Sequence, residues 1–413
     1  MERRRVVVTG LGTVNPTGND VATSWENIKQ GKSGIGRITR FDTSSMAVKT
    51  AGELRDFAPE KRLDRHEIRH MGLFAQYALY AAGEAIEQAG LVLPKEGSPR
   101  AGVLLSTGIG GLSVIEENHD RGREKGFDRV SPFFIPMAIS NMAAAQIAIR
   151  YGLQGLCSCT VTACAGASNA IGDAFHRIRD GYEDVFVCGG TEAAITPLAI
   201  GGFASMKALC RAEDPERASI PFDKNRSGFV MGEGAGILVL EEYGHARTRG
   251  AKILAEITGY GANCDAYHIT APAPGGRGAA ACIELALQDA GASKEDVDYI
   301  NAHGTSTKLN DQLETAAIKA VFGSRAEKIP VSSTKSMTGH LLGAAGGVEA
   351  VFCVKALEEG VIPMTAGYRD PDPDCDLDYV TEGTRYAPLH CVLSENLGFG
   401  GHNAVLVFQR VED

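Results

Sequence analysis

A chain of 413 residues with 44 % apolar side chains can build a large core, as two ordinary domains or as one duplicated unit. Its net charge of −10 excludes a general nucleic-acid footprint, so an acidic partner would have to meet a local basic patch. No apolar run reaches membrane-spanning length, and the ten cysteines have neither the density of a disulfide scaffold nor the CxxC spacing of zinc, so no metal is expected.

The basic start Met1-Glu2-Arg3-Arg4-Arg5 leads into Val6-Val7-Val8 and stops at Thr9-Gly10. That is too short for a secretion signal, and a cytoplasmic location is expected. Arg5–Thr9 reads as a buried strand. The following Gly10-Leu11-Gly12-Thr13-Val14-Asn15-Pro16 imitates a dinucleotide fingerprint but lacks its third glycine. A helix is predicted from Asp20 to Gly31, with Val21, Trp25 and Ile28 on one face. His66-Glu67-Ile68-Arg69-His70 spells a zinc-protease motif, yet Lys61, Arg62, Arg65 and Arg69 surround it with charge that opposes a second cation. It reads instead as a solvated basic face on a long helix running to about Gly90.

Ala101–Ser106 is a predicted strand ending in Thr107-Gly108-Ile109-Gly110-Gly111, and Ser131–Met142 reads as an apolar loop. Cys159–Ala163 is the strand before Cys164, and Ala165–Asp180 the helix after it. A thiol where a strand turns into a helix meets unpaired N–H groups and the positive end of the dipole, which predicts a lowered pKa and a nucleophile. Asp184–Cys188 is a further strand, ending at Gly189-Gly190-Thr191-Glu192. Gly232-Glu233-Gly234-Ala235-Gly236, opening the strand Ile237–Leu240, lacks the lysine of a phosphate loop and reads as tight packing.

The second half replays the first. Val297–Thr305 repeats the strand and glycine turn of Ala101–Gly111, and Val331–Ser333 with the helix Leu342–Glu359 repeats the segment around Cys164. Leu342–Phe352 aligns with Ala165–Phe175, and Asn403–Gln409 with Asp184–Cys188. The expected domains are therefore two α/β halves, 1–252 and 253–413, with their sheets face to face across a helix layer. Asp370-Pro371-Asp372-Pro373-Asp374-Cys375-Asp376 suggests a calcium loop but lacks the glycine and carries two prolines.

Three polar groups of the second half fall at ends of strands or turns: His303, Lys335 and His340. Gly398-Phe399-Gly400-Gly401-His402-Asn403 allows close backbone approach and could aim an N–H at an oxyanion. The segments VTACAGASNAIGDAF, NAHGTST, SSTKSMTGHLLGAAG and NLGFGGHN, in this order and spacing, resemble the condensing enzymes of the thiolase fold. More narrowly, the chain resembles the elongating β-ketoacyl-acyl carrier protein synthase II group, from Arg4 to the end.

This resemblance implies two βαβαβαββ halves in a five-layer αβαβα arrangement and a homodimer. It also implies a decarboxylative Claisen condensation with acyl carrier protein as partner and no cofactor, because phosphopantetheine arrives on the carrier. Cys164 would carry the acyl chain, with the N–H groups of Cys164 and Phe399 as oxyanion donors. His303 and His340 would face the malonyl enolate oxygen, Lys335 would supply a fixed positive charge, and Phe399 would gate the pocket. Thr305, Thr307, Thr270 and Gly400 would meet the pantetheine arm. Ile109, Phe134, Ala194 and Phe203 would line the acyl pocket, some of them across a dimer interface. Arg62, Arg65, Arg69, Arg129 and Lys207, with Lys61, Arg123 and Lys125, would dock the acidic carrier. Two departures from the usual pattern stand out: Lys308 where proline is frequent, and Glu395 before Asn396. They put in doubt the local loop shape and any structural cation site at Glu349 and Asn396. An aromatic polyketide ketosynthase shares these motifs. A non-catalytic chain-length factor would have lost Cys164, and a biosynthetic thiolase would carry a second cysteine where this chain has a histidine.

Overall fold

In the computed structural model, which describes residues 3–94 and 96–411, the chain runs twice through one pattern. The first pass is β1 (Val6–Val14), α1 (Leu73–Ala89), β2 (Ala101–Ser106), α2 (Met142–Tyr151), β3 (Cys157–Thr160), α3 (Gly166–Arg179), β4 (Val185–Glu192) and β5 (Gly234–Glu242). The second is β6 (Ala255–Cys264), α4 (Arg277–Ala290), β7 (Tyr299–Asn301), α5 (Lys308–Phe322), β8 (Val331–Ser332), α6 (Ala345–Glu359), β9 (Cys391–Gly398) and β10 (His402–Gln409). Each pass is a βαβαβαββ unit, and both order their strands third, second, fourth, fifth, first.

The two five-stranded units are not separate sheets. Val6–Val8 of β1 pair antiparallel with Ala255–Ile257 of β6, so the edges join into one ten-stranded sheet folded back on itself. Helices α3 and α6 lie between the two halves of the sheet, while α1 and α2 cover one outer face and α4 and α5 the other. These are the five layers expected. A central helix must be apolar on every side, and α6 buries its residues from Ala345 through Val354 without a break. Backbones touch there. A Cβ on Gly236 of β5 would lie 2.2 Å from the carbonyl carbon of Gly347 on α6.

Four details differ from the sequence reading. The predicted long helix breaks at Met71-Gly72 into Arg65–His70 and α1. Within the predicted apolar loop, Phe134–Ala138 closes one helical turn, and α2 follows from Met142. β10 is the fifth strand of its half and answers β5, not β4, because the intervening β9 takes the fourth place. Finally, the 3-10 turns Ala163–Ala165 and Leu342–Ala344 correspond, which moves the repeat alignment by two residues and sets Gly343 opposite Cys164. Both turns begin on a non-glycine residue with positive φ, 49° at Ala163 and 48° at Leu342.

Candidate active site

Cys164 sits in the middle of the turn that joins β3 to α3, after the left-handed Ala163. Such a backbone costs about 1–3 kcal/mol and persists where surrounding packing enforces it. The sulfur faces two backbone N–H groups, its own and that of Phe399 in the turn between β9 and β10. Burial pushes the thiol up to about 12, against the opposing pull of the Lys335 charge and those N–H groups. The expected lowered pKa is therefore overturned, because desolvation at a side chain only 9 % exposed outweighs the favourable dipoles.

His303 follows β7, and its N–H and that of Gly304 both donate to the Glu314 carboxylate on α5. His340 is pinned by its backbone: its N–H donates to the Val230 carbonyl at 2.7 Å, and its carbonyl accepts from Gly232 at 2.8 Å. The two rings meet edge to face with centroids 5.2 Å apart. Burial, together with the Lys335 charge, holds both imidazoles well below their ordinary pKa, so both are neutral. The Cys164 sulfur and one ring nitrogen from each histidine lie within 4.8 Å of one another. Each ring keeps its Nδ1 buried without a protein partner.

Lys335 opens a short helix, Lys335–Thr338, where a polar loop was expected, and its ammonium pairs with the buried Glu349 of α6. Asn396 also donates to Glu349, at 2.7 Å. That carboxylate, the one in doubt as a cation ligand, already has two donors. Glu395 points to the opposite face of β9, where it hydrogen-bonds Glu314, and burial holds it protonated, far above the ordinary carboxylate range. It thus acts behind the His303 loop, a role that sequence alone did not suggest. Glu192, at the end of β4, was also passed over. It accepts from Thr107 Oγ1, from the N–H groups of Gly108 and Ile109, and from Gly343 of the other half.

A cavity of about 650 Å³ connects these groups to solvent. Cys164, His303, His340, Ile109, Phe203, Leu342 and Phe399 line it, as do Thr270, Thr305 and Thr307. The hydroxyls of Thr305 and Thr307 lie 3.0 Å apart. Lys207 and Lys308 reach it from exposed positions and so mark its mouth. Phe134 and Ala194 do not line it: Ala194 is buried in the apolar cluster around Cys164, and Phe134 lies half-buried on its separate helical turn. Gly400 is likewise not in the lining; its N–H donates to the Ile269 carbonyl and braces the Phe399 turn.

The basic set divides. Arg62 is bound to Glu87 at 2.7 Å and lies over the Tyr80 ring, whereas Arg65, Arg69, Arg129, Lys61, Arg123 and Lys125 are exposed. Near them, the His66-to-His70 motif is closed on itself, with His70 Nδ1 on the His66 carbonyl and Glu67 engaged by Arg150. No helix among the described residues is long and apolar enough to cross a membrane.

Comparison with known proteins gives these features a family. Residues 3–246 match the beta-ketoacyl synthase N-terminal domain and residues 254–369 its C-terminal domain. The chain is 53 % identical to the 3-oxoacyl-[acyl-carrier-protein] synthase 2 of Synechocystis, over 100 % of this chain and 99 % of that one. It is 49 % identical to the enzyme of the same name from Staphylococcus aureus, with the same coverage. Among solved structures, an ishigamide ketosynthase/chain length factor superposes with a TM-score of 0.93 at 37 % identity, covering 99 % of this chain and 100 % of that one. A type II polyketide acyl carrier protein in complex with its ketosynthase gives 0.91 at 37 % identity, with the same coverage. With a nucleophile turn, two neutral imidazoles and both halves of the fold matched, the chain belongs to the beta-ketoacyl synthase family.

Proposed function

We propose that this protein condenses an acyl chain, held on Cys164, with malonyl-acyl carrier protein to give 3-oxoacyl-acyl carrier protein in fatty acid elongation. The observation that carries this reading is the meeting of one sulfur and two imidazole nitrogens within 4.8 Å beside a cavity open to solvent.

The chemistry follows from the resting state of a thiol beside neutral rings. In the first step the Cys164 sulfur attacks the acyl thioester carbon while an imidazole nitrogen takes its proton. The new carbon–sulfur bond forms, the carrier's carbon–sulfur bond breaks, and the carrier thiol leaves with a proton. The oxyanion of that step would be met by the N–H groups of Cys164 and Phe399, which face the sulfur in the resting site. In the second step malonyl carrier loses carbon dioxide, and the bonding electrons move onto the thioester as an enolate. Neutral His303 and His340 can donate N–H to its oxygen without repelling the Lys335 charge. The enolate carbon then attacks the acyl carbon, the carbon–sulfur bond to Cys164 breaks, and the released thiolate takes up one proton from solvent to restore the resting thiol.

The remaining roles belong to the same reading. Thr270, Thr305 and Thr307 hold the pantetheine arm, Phe399 gates the cavity beside Phe203, and no resident cofactor is needed. Arg65, Arg69, Arg129 and Lys207 receive the acidic carrier. The duplicated halves divide at residues 252 and 253, and the location is cytoplasmic. A homodimer forms across β3. That strand is the outer edge of its half-sheet, carries no charge, and is flanked by exposed Leu156 and Val161. Phe134 would then reach the partner's pocket. The polyketide alternative is less favoured, because the curated relatives at 49 % and 53 % identity over the full length both carry the name 3-oxoacyl-[acyl-carrier-protein] synthase 2.

Intact-mass and decarboxylation assays test the core of this reading. Cys164→Ala should take up no acyl group yet still release carbon dioxide from malonyl carrier. His303→Ala should lose decarboxylation by about a hundredfold or more while retaining acylation. Condensation by the Cys164→Ala variant would refute the nucleophile assignment.

A further inference from the structure

A lysine lies at the mouth of the catalytic cavity. Lys308 is exposed, is the first residue of α5, and lines the same cavity as Cys164. Its backbone is fixed: the guanidinium of Arg226, 2 % exposed, donates to the Thr307 carbonyl at 3.2 Å and to the Lys308 carbonyl at 2.9 Å. Lys207, also exposed, lines the same mouth, and its N–H is tied to the Ala204 carbonyl at 3.0 Å. The acidic group sharing this lining, Asp265, is already engaged by Asn403 Nδ2 at 2.8 Å and by the Ala273 N–H at 2.7 Å. Two lysines therefore share the entrance, and the carboxylate of the same lining is engaged by other groups.

We infer that Lys308, with Lys207, seats the phosphate of the phosphopantetheine arm and makes this enzyme select phosphorylated thioesters. The inference rests on the proposed acyl transfer. A thioester at the inner end and a phosphate at the outer end are the two poles of one such arm, with Thr305 and Thr307 between them. Lysine adds a cation on a backbone that is already immobilised, so the ordering cost of the contact is confined to its side chain.

The test uses two carrier-free substrates, an acyl phosphopantetheine and its dephosphorylated acyl pantetheine, with Cys164 acylation followed by intact mass. The unaltered enzyme should favour the phosphorylated thioester in kcat/KM. An exposed ion pair contributes little, so Lys308→Ala should lower that preference about threefold, through KM with kcat held. Lys308→Arg should restore it, the double change with Lys207→Ala should lower it further, and about 1 M salt should erase the difference. An unchanged preference in Lys308→Ala, with only carrier-borne substrates weakened, would place Lys308 against the carrier protein and overturn the phosphate assignment alone. An equal loss with both thioesters would make Lys308 structural and overturn it as well. If the unaltered enzyme took acyl groups from neither thioester, the acyl-transfer reading would fall, and this one with it.

Discussion

At the scale of single residues, burial decides the protonation states. The helix dipole at Cys164 favours a thiolate, whereas burial leaves a thiol and two neutral imidazoles, so in the proposed reaction the proton moves during attack. Glu192 shows the same effect in a carboxyl group. Burial raises it to about 6, against four hydrogen bonds that pull the other way. A carboxyl whose folded pKa lies above its unfolded value of 4.5 stabilises the fold fully below that value. This contribution is lost as pH rises from 4.5 through about 6, roughly 2 kcal/mol in all. Thermal denaturation from pH 4.5 to 7 should show that decline, and Glu192→Gln, which cannot ionise, should flatten it. A Glu192→Gln curve with the parental slope would assign the pH dependence to other buried acids such as Glu84 or Glu233, which burial also raises.

At the scale of elements, the centre of the molecule depends on backbone contact between the halves. Gly236 on β5 and Gly347 on α6 approach so closely that neither tolerates a side chain, and Gly343 stands in the same relation to Gly108. The sequence reading of the Gly232–Gly236 run as tight packing is explained by this contact. Because the obstructing atoms are backbone, nothing flexible can yield. Gly236→Ala should therefore destabilise by about 1–3 kcal/mol or more and lower the thermal midpoint. A midpoint equal to that of the parent protein would mean that β5 and α6 can separate at no cost.

At the scale of the whole molecule, charge and exposed apolar surface separate two faces. The excess negative charge makes exposed Arg65 and Arg69 a local exception, suited to an acidic partner. Reversing both to Glu should slow carrier association, most strongly at low salt, while leaving acylation from carrier-free thioesters intact. Surface plasmon resonance across salt concentrations checks this, and unchanged association would move the docking face elsewhere. The proposed dimer would use the uncharged edge β3 instead. Val161→Asp, at a side chain 54 % exposed, should shift the sedimenting species from dimer to monomer. A dimer that persists unchanged would place the interface on another surface.

The duplication, and the cysteine and two histidines that meet in one site, were legible in the sequence, since glycine turns at strand ends are local signals and the four motifs occur in fixed order. The glycines of Gly398–Asn403 also marked a turn that could aim an N–H, while Phe399 as its donor was implied by the resemblance. Tertiary structure decided what depends on distant neighbours: the joining of β1 to β6, the two-residue shift that sets Gly343 opposite Cys164, and the roles of Glu192, Glu349 and Glu395. It also reversed the expected thiol pKa. Desolvation is the physical reason for the last of these, because the degree of burial around a group is a property of the packed chain and has no local signature in its residues.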